Sequence, residues 1–321
     1  MSQHARDHFF PGVPSAAFVA LASALALASS LLTTGPGRAA PADDAAAAAA
    51  KPAAAKCDRS KFRIILDVGH TKESYGAMSA RYVPEFEFNL NLGRKIEERL
   101  KADGFAETYL MVTEGKARPS LMRRVAVANK RGADLFLSIH HDSVPGIYNE
   151  SWEFEGKKRP FNDLFAGYSV FVSQQNAQYR ESLRFAKLVG NAMASQDLQF
   201  ARQYDQWFMG KYQRELLDHD AGVYRYDQLI VLKMTRMPAV LLESGSIINR
   251  DEEVVMASQA HKDKVSTAVT TAAAEYCDTR TAAPPQVSQP QAQPKTSQPK
   301  PRTLQAQPKP QAATRAAARK R

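Results

Sequence analysis

At 321 residues and 44% hydrophobic composition, the chain has enough apolar material for one or two folded domains, which excludes a wholly disordered protein. Its net charge of +10 is unevenly spread. Arg280, Lys295, Lys300, Arg302, Lys309, Arg315, Arg319, Lys320 and Arg321 account for nearly all of it, so the high pI describes a tail and not a basic fold.

In chain order, Arg6 precedes an uncharged apolar stretch over residues 16–32, and Ala40-Pro41-Ala42 follows as a small-residue cleavage site. Residues 1–42 therefore read as a signal peptide, and the expected location is periplasmic or secreted. The alternative is a membrane anchor, for which about 17 apolar residues is the lower limit. Residues 43–57 form an Ala-rich linker. A folded domain is expected over 58–278. Residues 279–321 are rich in Pro, Gln, Ala, Lys and Arg, lack aromatics and acids, and are expected to be disordered. In an exported protein such a tail would meet anionic envelope polymers sooner than nucleic acid, or would serve only as a solubilising extension.

Within the domain, the β-branched apolar run 62–68 suits a strand buried on both faces. Helical spacing of Leu90, Leu92, Ile96 and Leu100 predicts a helix over 89–102, stopped by Gly104. A strand over 109–113, a helix over 121–130 ended by Gly132, and strands over 134–139 and 168–173 follow. Residues 179–196 read as a long amphipathic helix, 229–232 and 239–243 as apolar strands, and 251–276 as one closing helix. Strands alternating with helices give an α/β fold, a three-layer α/β/α domain around a mostly parallel mixed sheet. The segment 143–167, with Trp152 and several Phe and Tyr, is too long for an ordinary loop and is expected to be a lid, a substrate wall or a packed flap.

The only cysteines, Cys57 and Cys277, bracket the domain. If the first strand follows Cys57 and the last helix ends at Cys277, both lie at the edge opposite the active site. Export permits a disulfide between them, with two free thiols as the alternative.

Apolar runs ending in His70, His140 and Glu243, together with the segment around Glu85, deliver metal-competent or basic groups to the carboxyl edge of such a sheet. Two histidines and a carboxylate around an open position form a ligand set for catalytic Zn2+, and a further carboxylate can act as general base. The scatter of these residues, without paired cysteines, argues against a structural zinc finger. Asp67 could orient an imidazole or cap the turn. His141 would point away from His140, and His219 and His261 read as surface residues.

These residues carry a specific resemblance. Asp67-x-Gly69-His70, Gly76-Ala77, Glu85 four residues before Asn89, Arg124 to Asn129, Ser138-Ile139-His140, and Met237-Pro238-Ala239-Val240-Leu241-x-Glu243-x-Gly245 resemble the amidase 3 family of zinc-dependent N-acetylmuramoyl-L-alanine amidases. The resemblance spans residues 64–253. It implies a zinc-carboxypeptidase-like domain in which His70, Glu85 and His140 bind Zn2+ and Glu243 is the catalytic carboxylate. It implies peptidoglycan as substrate and hydrolysis of the amide between the lactyl group of N-acetylmuramic acid and L-alanine, in cell-wall remodelling or daughter-cell separation.

The chain departs from the family pattern at Thr71-Lys72, where Gly-Gly is usual, and at Ser246, where Phe is usual. Glu87 is a rival to Glu85 if that stretch is extended. The competing readings are a zinc peptidase acting on cell-wall peptides and a non-catalytic peptidoglycan-binding module. A monomer is expected, with a protein activator as an open option and no nucleic acid.

Overall fold

The computed structural model of the chain describes residues 57–280. The signal peptide expected over 1–42, almost all of the linker and nearly all of the basic tail lie outside the described residues. Among the described residues, no helix is long and apolar enough to cross a membrane.

The chain opens with β1 (Ile64–Val68), fully buried as its β-branched composition predicts, and then α1 (Glu85–Ala102). Next come β2 (Thr108–Met111), α2 (Ala117–Arg131) and β3 (Leu135–Asp142). Gly132 closes α2 in the left-handed conformation that glycine adopts without a Cβ clash. A hairpin of β4 (Glu150–Phe154) and β5 (Lys157–Phe161) leads to β6 (Ser169–Val172) and α3 (Tyr179–Ala194). The rest is β7 (Leu216–Asp218), β8 (Val223–Arg225), α4 (Ile230–Met234), β9 (Ala239–Ser246), α5 (Arg250–Ala257) and α6 (Gln259–Thr279).

Seven strands form one sheet in the order β2-β1-β3-β9-β6-β8-β7. The pairs β1–β2, β1–β3, β3–β9 and β6–β8 are parallel, while β6–β9 and β7–β8 are antiparallel. Alternating side chains of the strands feed two cores. Ile64, Leu66, Leu137, Ile139, Val240 and Leu242 pack against α1, α3 and α6. Ile65, Phe136, Phe171 and Leu241 pack against α2 and α4. The result is the expected three-layer domain.

Three expectations need correction, and the segment whose form was left open takes a definite one. The apolar run at 229–232 is not a strand: it enters the short helix α4, whose Val231 and Leu232 cover the α2 side of the sheet. So short an apolar run fits a buried helix turn as well as a strand. The closing helix is two helices, because Ser258 turns extended (ψ 152°) and its side chain caps α6 at the amide of His261. The segment 143–167 carries the β4–β5 hairpin, with Trp152 Nε1 donating to the carbonyl of Ala80 at 3.2 Å and its ring stacked on Phe154. Finally, His261 is buried, 5% exposed, against Ser244.

Cys57 and Cys277 form a disulfide, their Cα atoms 5.5 Å apart. It ties the segment that leads into β1 to the end of α6.

Candidate active site

Three side chains converge beyond the carboxyl ends of β1 and β3. His70 leaves the loop after β1, Glu85 opens α1, and His140 stands on β3. One ligand atom from each lies within 4.8 Å of the others. The Glu85 carboxylate faces His70 Nε2 at 3.0 Å through Oε2 and His140 Nδ1 at 2.9 Å through Oε1. Burial pushes the Glu85 carboxyl up, but hydrogen bonds from His140 and His70 more than reverse this and hold it well below the usual range. Burial moves His140 down, favouring the neutral imidazole that a metal requires. Two imidazole nitrogens and an ionised oxygen converging within 4.8 Å of one another fit the protein ligand set of a catalytic zinc ion.

Local sequence explains the convergence. A Cβ at Gly69 would collide with the His140 ring, and one at Gly76 (φ +81°) with the His70 ring and Glu85 Oε2. Only glycine leaves space at either position. Asn89, one turn beyond Glu85 on α1, donates to Glu85 Oε1 at 3.1 Å and to the carbonyl of Gly69 at 3.2 Å. The amide of Ala77 donates to Glu85 Oε2 at 3.1 Å.

The expectation that Asp67 orients an imidazole fails. Its side chain is fully buried, accepts from Ser138 Oγ at 2.7 Å, and pairs with Arg124 at 3.4 Å. Arg124 in turn donates to the backbone carbonyl of His70, whose φ of +67° is left-handed. Asp67 therefore acts on the backbone of His70, not on its ring. Glu87 is no rival ligand, because residue 85 already begins α1 and Glu87 turns out to an exposed position. His141 faces α1 and bonds Asn89 Oδ1 at 2.8 Å. His219 is exposed. Thr71 is buried and donates to the carbonyl of Gly115 at 2.7 Å, while Lys72 is exposed.

Glu243 lies on β9 opposite His140 in parallel register, so both side chains leave the same face. Burial, reinforced by the charges of Asp142 and Glu85, raises its carboxyl well above the ordinary value. Its Oε2 is buried without a hydrogen-bond partner. Glu243 also lines a cavity of about 440 Å³ with Asp142, Tyr204, Tyr212, Arg214 and Tyr226. Tyr204 donates to Asp142 Oδ2 at 2.5 Å. The arrangement places the Glu243 carboxyl group beside the His70–Glu85–His140 cluster and on the wall of a cavity.

The family model described as N-acetylmuramoyl-L-alanine amidase matches residues 64–275. The chain belongs to this family. AmiA of Escherichia coli (strain K12), an N-acetylmuramoyl-L-alanine amidase, is 25% identical over 239 residues, covering 69% of this chain and 78% of that protein. AmiC of Escherichia coli O6:H1 is 25% identical over 231 residues, but the match spans only 50% of that relative and 64% of this chain. The fold is also that of the amidase Ami1 from Mycobacterium smegmatis, with a TM-score of 0.53 at 19% identity over 68% of this chain and 98% of that one. The amidase-family domain thus occupies nearly all the described residues.

Sequence reasoning passed over Asp142, Tyr204 and Arg214. Asp142 was within reach: it lies two residues beyond His140 on one strand and so faces the same way. Tyr204 and Arg214 sit in irregular chain between α3 and β7, which has no period to betray them.

Proposed function

We propose that the chain hydrolyses the amide joining the lactyl group of N-acetylmuramic acid to L-alanine in peptidoglycan, with zinc held by His70, Glu85 and His140 and with Glu243 as general base and then general acid. The observation that carries this reading is the register pairing of Glu243 with His140 beside the His70–Glu85–His140 cluster. When bound, zinc supplies Lewis-acid polarisation of the scissile carbonyl.

The residues divide the remaining work. Glu243 removes a proton from the attacking water as the water oxygen bonds to the lactyl carbonyl carbon. It returns that proton to the nitrogen as the C–N bond breaks, leaving a free L-alanine amine and a lactyl carboxylic acid that then ionises in water. Burial and the neighbouring acids raise its proton affinity, which strengthens it as a base. Its free Oε2 leaves the base uncommitted to any protein donor.

A periplasmic or otherwise exported location fits the same reading, because the Cys57–Cys277 disulfide suits an oxidising compartment. Residues 1–42 then act as a removable signal, and 279–321 as a basic tail for anionic envelope polymers.

The deciding experiment is digestion of intact peptidoglycan by the zinc-loaded protein, with and without chelator, followed by mass analysis of the products. Stem peptides with a free L-alanine amine, lost on chelation, are expected. Cleavage within the peptides, or activity indifferent to chelator, would reject the proposal.

A further inference from the structure

The cavity beside Glu243 has a feature that the amide-cleaving residues do not use. Three charged side chains line it: the acids Asp142 and Glu243, and the cation Arg214. Arg214 lies within salt-bridge distance of no acid among the described residues, neither of those two nor any other. The guanidinium rests 4.0 Å from the ring centre of Tyr226. Its Nη1 donates to the carbonyls of Lys211 and Gln213 at 3.3 and 2.9 Å. Its Nε is buried with no partner.

An arginine held by an aromatic ring and two carbonyls, yet left without an anion, is preorganised for one. Its planar fork matches a carboxylate in two-point geometry. A buried N–H without a partner is costly until a ligand satisfies it. The surrounding wall is aromatic, with Phe171, Tyr204, Tyr212 and Tyr226. At about 440 Å³ the space is within the range of small-ligand sites. It opens directly beside Glu243, which on the amidase reading hands a proton to the departing L-alanine nitrogen.

We propose that Arg214 is a specificity-determining residue that receives a carboxylate of the stem peptide, the part of the substrate that leaves. This rests on the amidase reading for the identity of the ligand. The chemistry required is an α-carboxylate near the L-alanine end of a short peptide, such as that of a γ-linked D-glutamate at the second position.

The test is calorimetric binding of the tripeptide L-alanyl-γ-D-glutamyl-L-lysine, with the glutamyl α-carboxylate either free or converted to its carboxamide. Binding is measured on the zinc-loaded wild type and on Arg214→Gln and Arg214→Lys. The wild type should favour the free carboxylate by about 10- to 100-fold, the range expected of hydrogen bonds to a charged group. Arg214→Gln should lose that preference with zinc content and melting temperature unchanged. Arg214→Lys, which keeps the charge but not the fork, should retain part of it. Equal binding of the two peptides by the wild type overturns the proposal. So does a Gln variant that keeps the preference, or one that weakens both peptides alike, since Arg214 would then only balance Asp142 and Glu243. Binding is read without turnover, so a wild type that binds selectively but fails to cleave peptidoglycan refutes the amidase reading alone.

Discussion

Asp67 and Arg124 form a buried ion pair at 3.4 Å directly beneath the backbone of His70, and both side chains are almost wholly enclosed. Burial raises the Asp67 carboxyl, and the Arg124 charge opposes that rise. Removing the guanidinium leaves an uncompensated buried carboxylate. Arg124→Met is therefore expected to cost about 3–5 kcal/mol, read from the denaturant midpoint. The double variant Asp67→Asn/Arg124→Met should recover part of that loss. If Arg124→Met alone is as stable as wild type, the pair does not hold the loop.

Asn89 spans Glu85 and the Gly69 carbonyl, fixing one candidate ligand against the turn that carries another. Asn89→Ala should weaken zinc binding by about 10- to 100-fold, as loss of such outer supports usually does. Competition with a chromogenic chelator measures it. The helix should persist, because alanine favours it.

Glu243 contributes no ligand atom to the cluster, so its removal separates chemistry from metal binding. Glu243→Ala should lower turnover by at least about 10²–10⁴-fold, the usual contribution of a general acid–base, while zinc stoichiometry stays at the wild-type value. A parallel loss of zinc would instead make Glu243 a ligand.

The Cys57–Cys277 bond closes a loop with a sequence separation of 220 residues. Constraining an unfolded chain over so long a loop contributes up to about 5 kcal/mol in the entropy model. Cys57→Ser/Cys277→Ser should lower the thermal midpoint without changing turnover at moderate temperature, because the bond ties the N-terminal side of β1 to the end of α6, remote from His70 and His140. A loss of turnover at full foldedness would contradict that placement.

The frame of this domain was legible because its signals are local. Buried runs such as Ile64–Val68 and Ala239–Ser246 are continuous and apolar, and Gly132 stops α2 where a left-handed residue is needed. The candidate ligands were legible because each ends such a run or begins a helix. What escaped depends on contacts distant in sequence. Nothing near Asp67 announces Arg124, 57 residues away, and nothing near Tyr204 announces Asp142, 62 residues away. His261 looked like a surface residue amid Gln259, Lys262 and Asp263. Only the packing of α6 on the sheet turns it inward toward Ser244.

That buried histidine also predicts a pH dependence. Burial first, and the nearby Lys264 charge second, lower His261 to about 4 from an ordinary value of 6.5. The unfolded chain therefore takes up its proton before the folded one as pH falls. Stability from this residue is full above pH 6.5 and declines as pH drops toward about 4, by up to about 3 kcal/mol, below which it is constant. His141, lowered to about 3, acts in the same direction over an overlapping window, while Asp142, raised to about 7, acts against both. The His261 share is isolated by difference. His261→Gln keeps a polar group for Ser244 but cannot be protonated in this range. The stability gap between wild type and His261→Gln, measured by urea unfolding at pH 7 and at pH 4, should shift by up to about 3 kcal/mol in favour of the variant at the lower pH. A gap that stays constant across that range would mean that His261 takes up its proton at the same pH in the folded and the unfolded chain, and would overturn the prediction.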